Sequence, residues 1–462
     1  MTDSPLTPAQ RGENKETNSS NLPRRAGAGG VVTILVAALV LSVSFAVKVP
    51  LDHNPDESSH RDYIRLMVEQ KGLVMFVPSK GRRPLPAPVI EKMQAREGMT
   101  ELPEGVPSRD ETHQPPLYYA LAALVFAITG GGSLLALRLV ALPFQLATVW
   151  VAWKAGRELF PNRGEMASAL AAFVAFLPTQ AQLGGAISND ATTHFFCALL
   201  VWRLARFFAP HIPPPHAALA MREGALLGAL FGLGLLTKLT VLQLYPVLVV
   251  AVVLALRAKR ITLTDGIKLV GVAVAVGLLI ASPWLVRNQL LYSDFLAQTI
   301  YKATGPNFSP DEICATFGWS GVDYARNMGL RSLASFWYFL DPGLPYKQFV
   351  GPPLLLLLAL ALTLVPLSGL YKVWKGGAGD PVIGFAALVP LCLVPFFVKF
   401  IYEVFQAQGR YFLPSLLAVA TVCVGGFSAL GKSKWIAFLP VALLLALSLW
   451  QLVGGGYAAA RR

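Results

Sequence analysis

The sequence predicts an all-α polytopic membrane protein with about eleven transmembrane helices, in a range of 11 to 13, and a large first extracytoplasmic loop carrying interfacial helices. Three observations predict it. Hydrophobic residues make up 54% of the 462, with a mean hydropathy of +0.54. Apolar blocks of about 15 to 22 residues recur along the chain, close to the ~20 that a bilayer helix needs. Charged residues, only 14% of the total, collect in short segments between those blocks. A net charge of +13 would suggest nucleic acid in a soluble protein. Spread over links between spans it encodes orientation instead, which argues against nucleic-acid binding.

Residues 1–30 are polar and rich in Ser, Asn, Pro and Gly, with Arg24 and Arg25 just before the first apolar run. They read as a disordered cytoplasmic tail rather than a cleaved signal peptide, since no small-x-small site follows the run before Pro50. The remainder, 31–462, is expected to form one transmembrane domain. Its apolar blocks fall near 31–49, 116–130, 134–153, 165–183, 191–209, 223–237, 241–256, 267–285, 350–370, 381–398, 411–430 and 434–453. If the block 116–130 crossed the membrane, the basic links 154–163, 203–222, 257–268, 371–375 and 432–434 would all lie outside. If it does not cross, all of them are cytoplasmic, as the positive-inside bias requires. That block is also short, led by Pro115-Pro116-Leu117-Tyr118-Tyr119 and closed by Gly130-Gly131-Gly132. It is therefore expected to lie in the outer interface, leaving eleven spans. The long loop 50–133, the turn Ser188-Asn189-Asp190 and the loop 286–349 then share the outer face. Cys197, Cys314, Cys392 and Cys423 are far apart, three of them inside apolar blocks, and form no disulfide framework or metal motif.

The stretch His53-Asn54-Pro55-Asp56-Glu57-Ser58-Ser59-His60-Arg61-Asp62-Tyr63 places two adjacent carboxylates and two histidines just after the first span. Asp56 and Glu57 are either solvated loop charges or a site for a substrate that reaches the membrane surface. His60 follows Glu57 by three residues, on the same face of a helix, a spacing that suits an ion pair or a metal pair. Asp190, after Asn189, either caps the helix 191–209 or adds a second acidic group on the outer face. Lys238, Arg287 and Arg410 stand at outer ends of spans, against the positive-inside trend; each either stabilises an anion or snorkels to the interface. His113 and Gln114 precede the Pro-Pro break and either pack or aim into a cavity. Tyr118 and Tyr119 read as an interfacial aromatic belt, and His194 as a buried polar contact.

Taken in order, Asn54-Pro55-Asp56-Glu57-x-x-His60-x-Asp62-Tyr63, Gln114-Pro115-Pro116-Leu117-Tyr118-Tyr119 and Asn189-Asp190-Ala191 resemble the GT-C membrane glycosyltransferases. More narrowly, they resemble the bacterial branch related to protein O-mannosyltransferases, aminoarabinose transferases and RgtA-type enzymes. The motifs cover about residues 31–300, and hydropathy alone carries the rest. The resemblance implies inverting transfer of a hexosyl or pentosyl group from a polyprenyl-phosphate donor to a glycan, lipid or protein acceptor, on the outer face of the bacterial cytoplasmic membrane. It implies Asp56 as base or acceptor-orienting carboxylate with Glu57 in support. Asp190 would orient the donor or help to hold a divalent cation. His60, Tyr63, His113, Gln114, Lys238, Arg287, Arg410 and Tyr411 would bind substrate. No cofactor is certain; Asp56, Asp190 and His60 are the candidate ligands should a divalent cation be used.

Better-studied members carry extended soluble C-terminal domains, whereas this chain ends about nine residues after its last predicted span. Acceptor recognition is then expected from the outer loops. The loop 286–349 holds Phe308, Phe317, Trp319, Tyr324, Phe336, Trp337, Tyr338 and Phe339, suited to covering a sugar or lipid or to resting on headgroups. Two other classes compete. A transporter or lipid flippase would place ionisable residues near mid-membrane. A non-catalytic partner in envelope-polymer assembly would tolerate Asp56→Ala.

Overall fold

Leucine-, alanine- and valine-rich blocks with few breakers can satisfy their backbone groups in a bilayer only as helices. Among the described residues of the computed structural model, 28–77, 87–98, 110–131, 133–213, 217–304, 309–338, 353–404 and 406–455, every regular element is helical. Eight helices there are long and apolar enough to cross a membrane: Gly29–Lys48, Leu134–Leu159, Leu239–Arg257, Leu263–Tyr292, Pro353–Lys375, Pro381–Glu403, Gly409–Ser428 and Lys434–Val453. The chain is a multi-pass membrane protein.

The first helix, α1 (Ala28–Lys48), leads through a turn to α2 (Glu57–Glu69). The Asp52 carboxylate accepts from the Ser58 amide at 3.1 Å and from the Ser58 hydroxyl, so it does the capping at the start of α2. Glu57, His60, Ile64 and Met67 recur at helical spacing on the buried face of α2. After α3 (Ala87–Glu97) comes α4 (Leu117–Ile128), which packs on α2. At 1.5 Å per residue α4 is about 18 Å long, short of the ~30 Å hydrocarbon core. Tyr118 and Tyr119 do not form the expected interfacial belt: both are fully buried between α2 and α4, where the two-sided apolar surroundings draw them in.

Next come α5 (Leu134–Arg138), α6 (Leu142–Leu159) and α7 (Gly164–Phe176). The apolar block 165–183 is not one helix. Leu177 takes an extended conformation ahead of Pro178, as a residue before proline prefers, and a short α8 (Pro178–Leu183) follows. Then α9 (Asp190–Ala205) and α10 (Ala217–Leu235) run out and back, and α11 (Tyr245–Arg257) and the long α12 (Leu263–Tyr292) complete the middle of the chain. Polar groups at one end of this bundle tie the basic links together. Glu158 takes Arg206 at 2.5 Å and the Trp202 indole at 2.8 Å, Arg203 grips Glu223, and Arg260 donates to the carbonyls of Phe207, Ala209 and Ile212.

The expected loop 286–349 begins later than predicted, because α12 runs on to Tyr292; α13 (Gln298–Thr304), α14 (Pro310–Phe317) and α15 (Gly321–Trp337) follow in its described part, and Ser309 and Ser320 open the last two with capping boxes. The aromatic residues of this loop do not act together as a cover. Phe336, Trp337 and Tyr338 enter the core, with the Trp337 indole on Thr363 Oγ1 at 2.9 Å, while Phe317 stacks on Trp319 beside Tyr324. Phe308 and Phe339 lie outside the described residues. The chain closes with α16 (Pro353–Lys375), α17 (Pro381–Glu403), α18 (Leu416–Ser428) and α19 (Leu439–Trp450). The four cysteines are free thiols.

Close approach of α10 to α12 depends on Gly224, Gly228 and Gly232, one every four residues. A Cβ at Gly228 would stand 2.6 Å from the Ala273 carbonyl oxygen and 2.8 Å from Val276 Cβ. Helices in lipid gain little from apolar burial and rely on such backbone proximity. Gly228→Ala is expected to cost about 1–3 kcal/mol through overpacking and to lower the unfolding temperature of the purified protein. Gly271→Ala, on α12 with nothing within 4 Å of the added carbon, should leave it unchanged or raised.

Candidate active site

Asp56 sits at the N-terminus of α2 in the left-handed region, φ 58°, a conformation that Asp and Asn adopt more readily than most residues. Because Asp52 does the capping, the Asp56 side chain makes no cap hydrogen bond and is left to reach across the bundle. There it accepts from Arg410 Nη2 at 2.9 Å, a contact between residues 354 positions apart. Arg410 Nη1 lies 3.4 Å from Asp190 Oδ2, and the Lys238 ammonium donates to Asp190 Oδ1. Asp56, Arg410, Asp190 and Lys238 thus form one chain of alternating charge. Its members come from α2, the 3₁₀ turn Gly409–Ser415, the first turn of α9 and the entry to the 3₁₀ turn Leu239–Leu244.

Burial differs sharply along this chain. Asp190 and Arg410 side chains are 6% and 5% accessible, whereas Asp56 is 43% accessible, so the carboxylate that a substrate can touch is Asp56. Asp190 is the first residue of α9 and spends its oxygens on Lys238 and Arg410 rather than on capping. Burial is the largest single influence and disfavours the Asp56 anion, but the charge and hydrogen bond of Arg410 together with His60 and Lys238 outweigh it and hold the carboxyl below its ordinary range. Gly409 fixes where Arg410 starts. Its amide donates to Ser335 Oγ at 2.7 Å, and a Cβ there would fall 2.2 Å from the Phe336 nitrogen. Tyr411 packs its ring 5.2 Å from the guanidinium, accepts from Arg410 Nη2 at 3.3 Å and donates to Gln406.

Glu57 points elsewhere. It is buried, and both its oxygens take Arg138 at 2.7 Å, while Asn54 Nδ2 and the Ile187 amide also donate to it. Arg138 completes its set with the carbonyls of Ala46, Val49 and Pro50, clamping the end of α1 to α2. Glu57 and His60 therefore do not form a metal pair. Among the described residues no three His, Cys, Asp or Glu side chains converge on a metal position, and a guanidinium stands between Asp56 and Asp190. These residues do not fit a resident cation.

His60 Nδ1 is 2.7 Å from the Tyr119 hydroxyl and 3.8 Å from Glu111. Burial pulls the imidazole pKa down, more strongly than the Glu111 and Asp56 charges raise it. Tyr63 packs against Tyr119, with ring centroids 4.3 Å apart and the rings tilted by 42°, and belongs to the wall behind His60. Gln114 Oε1 accepts from Asn189 Nδ2 at 3.4 Å, and His113 faces the Tyr301 ring. Arg287 is not brought to the charged chain. It donates to the Val74 carbonyl at 2.6 Å and lies over Trp284 and Tyr292, fastening the first loop to α12. His194 meets Gln180 at 2.7 Å, the buried polar contact expected of it.

Arg138, Asp52, Gln406 and Glu111 escape a reading of the sequence. Arg138 carried a usable signal, being a charge inside the apolar block 134–153. Asp52, Gln406 and Glu111 lie in polar segments where one more polar residue stands out from nothing.

The description of dolichyl-phosphate-mannose-protein mannosyltransferases matches residues 113–286, a stretch that takes in His113, Gln114, Asp190 and Lys238. Among solved structures, ArnT from Cupriavidus metallidurans in the apo state is similar at a TM-score of 0.54 and 17% identity, over 88% of this chain and 61% of that one. The oligosaccharyltransferase of Archaeoglobus fulgidus in its apo form is similar at 0.52 and 14% identity, over 92% of this chain and 56% of that one. The fold is that of the GT-C membrane glycosyltransferases. No curated protein sequence matches significantly. This chain spans about three-fifths of the length of those two proteins.

Arg138→Gln should leave the Glu57 charge buried with too few donors, at a cost of about 3–5 kcal/mol. Thermal unfolding in detergent checks this, and Arg138→Met combined with Glu57→Met should recover most of the loss.

Proposed function

We propose that this protein transfers a sugar from a polyprenyl-phosphate donor to an acceptor hydroxyl at the outer face of the bacterial cytoplasmic membrane, with inversion. The observation that carries the reading is the reachable Asp56 carboxylate backed by Arg410, with Asp190 and Lys238 behind them. An acceptor hydroxyl is a weak nucleophile and needs a base within hydrogen-bond reach. Asp56, kept ionised by Arg410, takes the acceptor proton as the acceptor oxygen bonds to the anomeric carbon. The bond from that carbon to the phosphate oxygen breaks on the opposite face, and its electron pair leaves with the polyprenyl phosphate. Direct displacement of this kind inverts the anomeric centre.

The leaving phosphate needs positive charge and donors rather than a proton. Arg410 and Lys238 supply the charge, and Asp190 holds both cations in register. Tyr411 supports the guanidinium from below, and Gln114, His113 and His60 line the same region. Glu57, bound on both oxygens, orients α2 and hence Asp56, and Tyr63 and Arg287 support the surrounding walls. Two further observations favour this reading. The same archaeal oligosaccharyltransferase, AglB, is known in complex with an inhibitory peptide and a dolichol-phosphate, at a TM-score of 0.52 to this chain. Residues of three basic links meet in the pairs Arg206–Glu158 and Arg203–Glu223 and in the bond from Arg260 to the Phe207 carbonyl, and a cytoplasmic position for them under the positive-inside bias supports an outer position for Asp56.

Transfer from labelled polyprenyl-phosphate sugars in membranes tests the proposal. Asp56→Asn is expected to lower the rate by about 10² or more at normal expression, and Arg410→Lys by a similar factor through loss of the guanidinium geometry. Equal transfer in wild type and Asp56→Asn removes Asp56 from the reaction. Because the Asp56 pKa is depressed, the base is present above the ordinary carboxylate range and is lost only as the pH falls through the lower, folded-state value.

A further inference from the structure

Glu111 lies on the 3₁₀ turn Asp110–His113, just ahead of Gln114, and its side chain is 14% accessible. Among the described residues its buried Oε2 accepts no hydrogen bond, and His60 Nδ1 stands 3.8 Å from it, beyond hydrogen-bond reach. Burying a carboxyl in this state is unfavourable, whether it is ionised or neutral, unless a partner arrives. The contrast with Glu57, bonded on both oxygens, is sharp. Other buried polar atoms of the same site also lack hydrogen-bond partners, among them Arg410 Nε, a donor, and Asn189 Oδ1, an acceptor. Glu57 and Asp190 are bonded on both oxygens, so the buried donors and acceptors left unpaired on Arg410, Asn189 and Glu111 suit a ligand bearing both kinds of group.

We propose that Glu111 is a carbohydrate-binding residue whose carboxyl hydrogen-bonds a hydroxyl of the sugar being transferred or of the acceptor. This rests on the transferase reading above. A carboxyl oxygen accepts from a hydroxyl, and the neutral acid can donate back to a second one, so a polyhydroxylated ring satisfies it where water alone leaves it poorly matched. The direction of its titration agrees: burial and the Asp56 charge raise the Glu111 pKa against the opposing pull of His60, Lys238 and Arg410.

Full-length protein, wild type and with Glu111→Leu or Glu111→Gln, decides the matter by two readouts. The first is unfolding temperature in detergent without substrate. Glu111→Leu should unfold at the same temperature as wild type or higher, since no bond is lost; a clear drop makes the carboxyl a structural group and overturns the proposal. The second is transfer from labelled polyprenyl-phosphate sugars. Glu111→Leu should lose about tenfold or more in kcat/KM, with Glu111→Gln between it and wild type. A rise in donor KM assigns the hydroxyl to the transferred sugar, and a rise in acceptor KM to the acceptor; unchanged kcat and KM values overturn the proposal. Should wild type transfer no labelled sugar, the transferase reading falls, and the unfolding temperatures still decide whether Glu111 is kept for a ligand or for the fold.

Discussion

Arg410 stands between Asp56 and Asp190, carboxylates 354 and 220 residues away from it in the chain, and shares one guanidinium with both. A charge this deeply buried is tolerable only when paired, so the four segments that supply Asp56, Asp190, Lys238 and Arg410 must meet whenever the bundle is folded. The placement is fixed from behind as well. Gly409 lets the chain pass against α15 at a distance no side chain would permit, and the direction in which Arg410 leaves the backbone follows from that contact. The result is a set of cations held in place by a buried Asp190, with one carboxylate, Asp56, left where a substrate can reach it.

A second set of polar contacts sets the height of Asp56 in the bundle. Arg138 binds Glu57 and three carbonyls at the end of α1. From Glu57 a line of amides continues: Asn54 donates to Glu57, Gln182 on α8 donates to Asn54, and Gln451 beyond α19 donates to Gln182. The first loop is thereby tied to the last helix through the interior. Such a network is stable when every member is satisfied and costly when one is removed, which gives Glu57 a positioning role even though it sits next in sequence to Asp56.

Much of the site was legible because charge is scarce in this chain. Asp56, Asp190, Lys238 and Arg410 each stood at the end of an apolar block, where an ionisable residue needs a partner, and the topology read from the basic links put all four at one end. What was not legible depended on side-chain direction. Glu57 and Asp56 are neighbours, yet the left-handed turn at Asp56 sends one carboxylate into the site and the other to Arg138. Arg287 stands at a helix end like Arg410 but is taken up by the Val74 carbonyl. Tyr118 and Tyr119 follow a Pro-Pro break as belt residues do, and only the packing of α2 against α4 shows them to be interior. The helix α4 itself was readable from its length and the glycines after it, whereas the break at Leu177–Pro178 inside a continuous apolar block was not.

On the proposed function, Asp56 and Arg410 act as one unit in transfer. A double-mutant cycle on the rate of transfer from a labelled polyprenyl-phosphate sugar, with Asp56→Asn, Arg410→Gln and the pair combined, tests it most directly. Joint action gives strong non-additivity, with the double variant no slower than the slower single one. Losses that multiply in full would mean that the two residues act independently, and would contradict it.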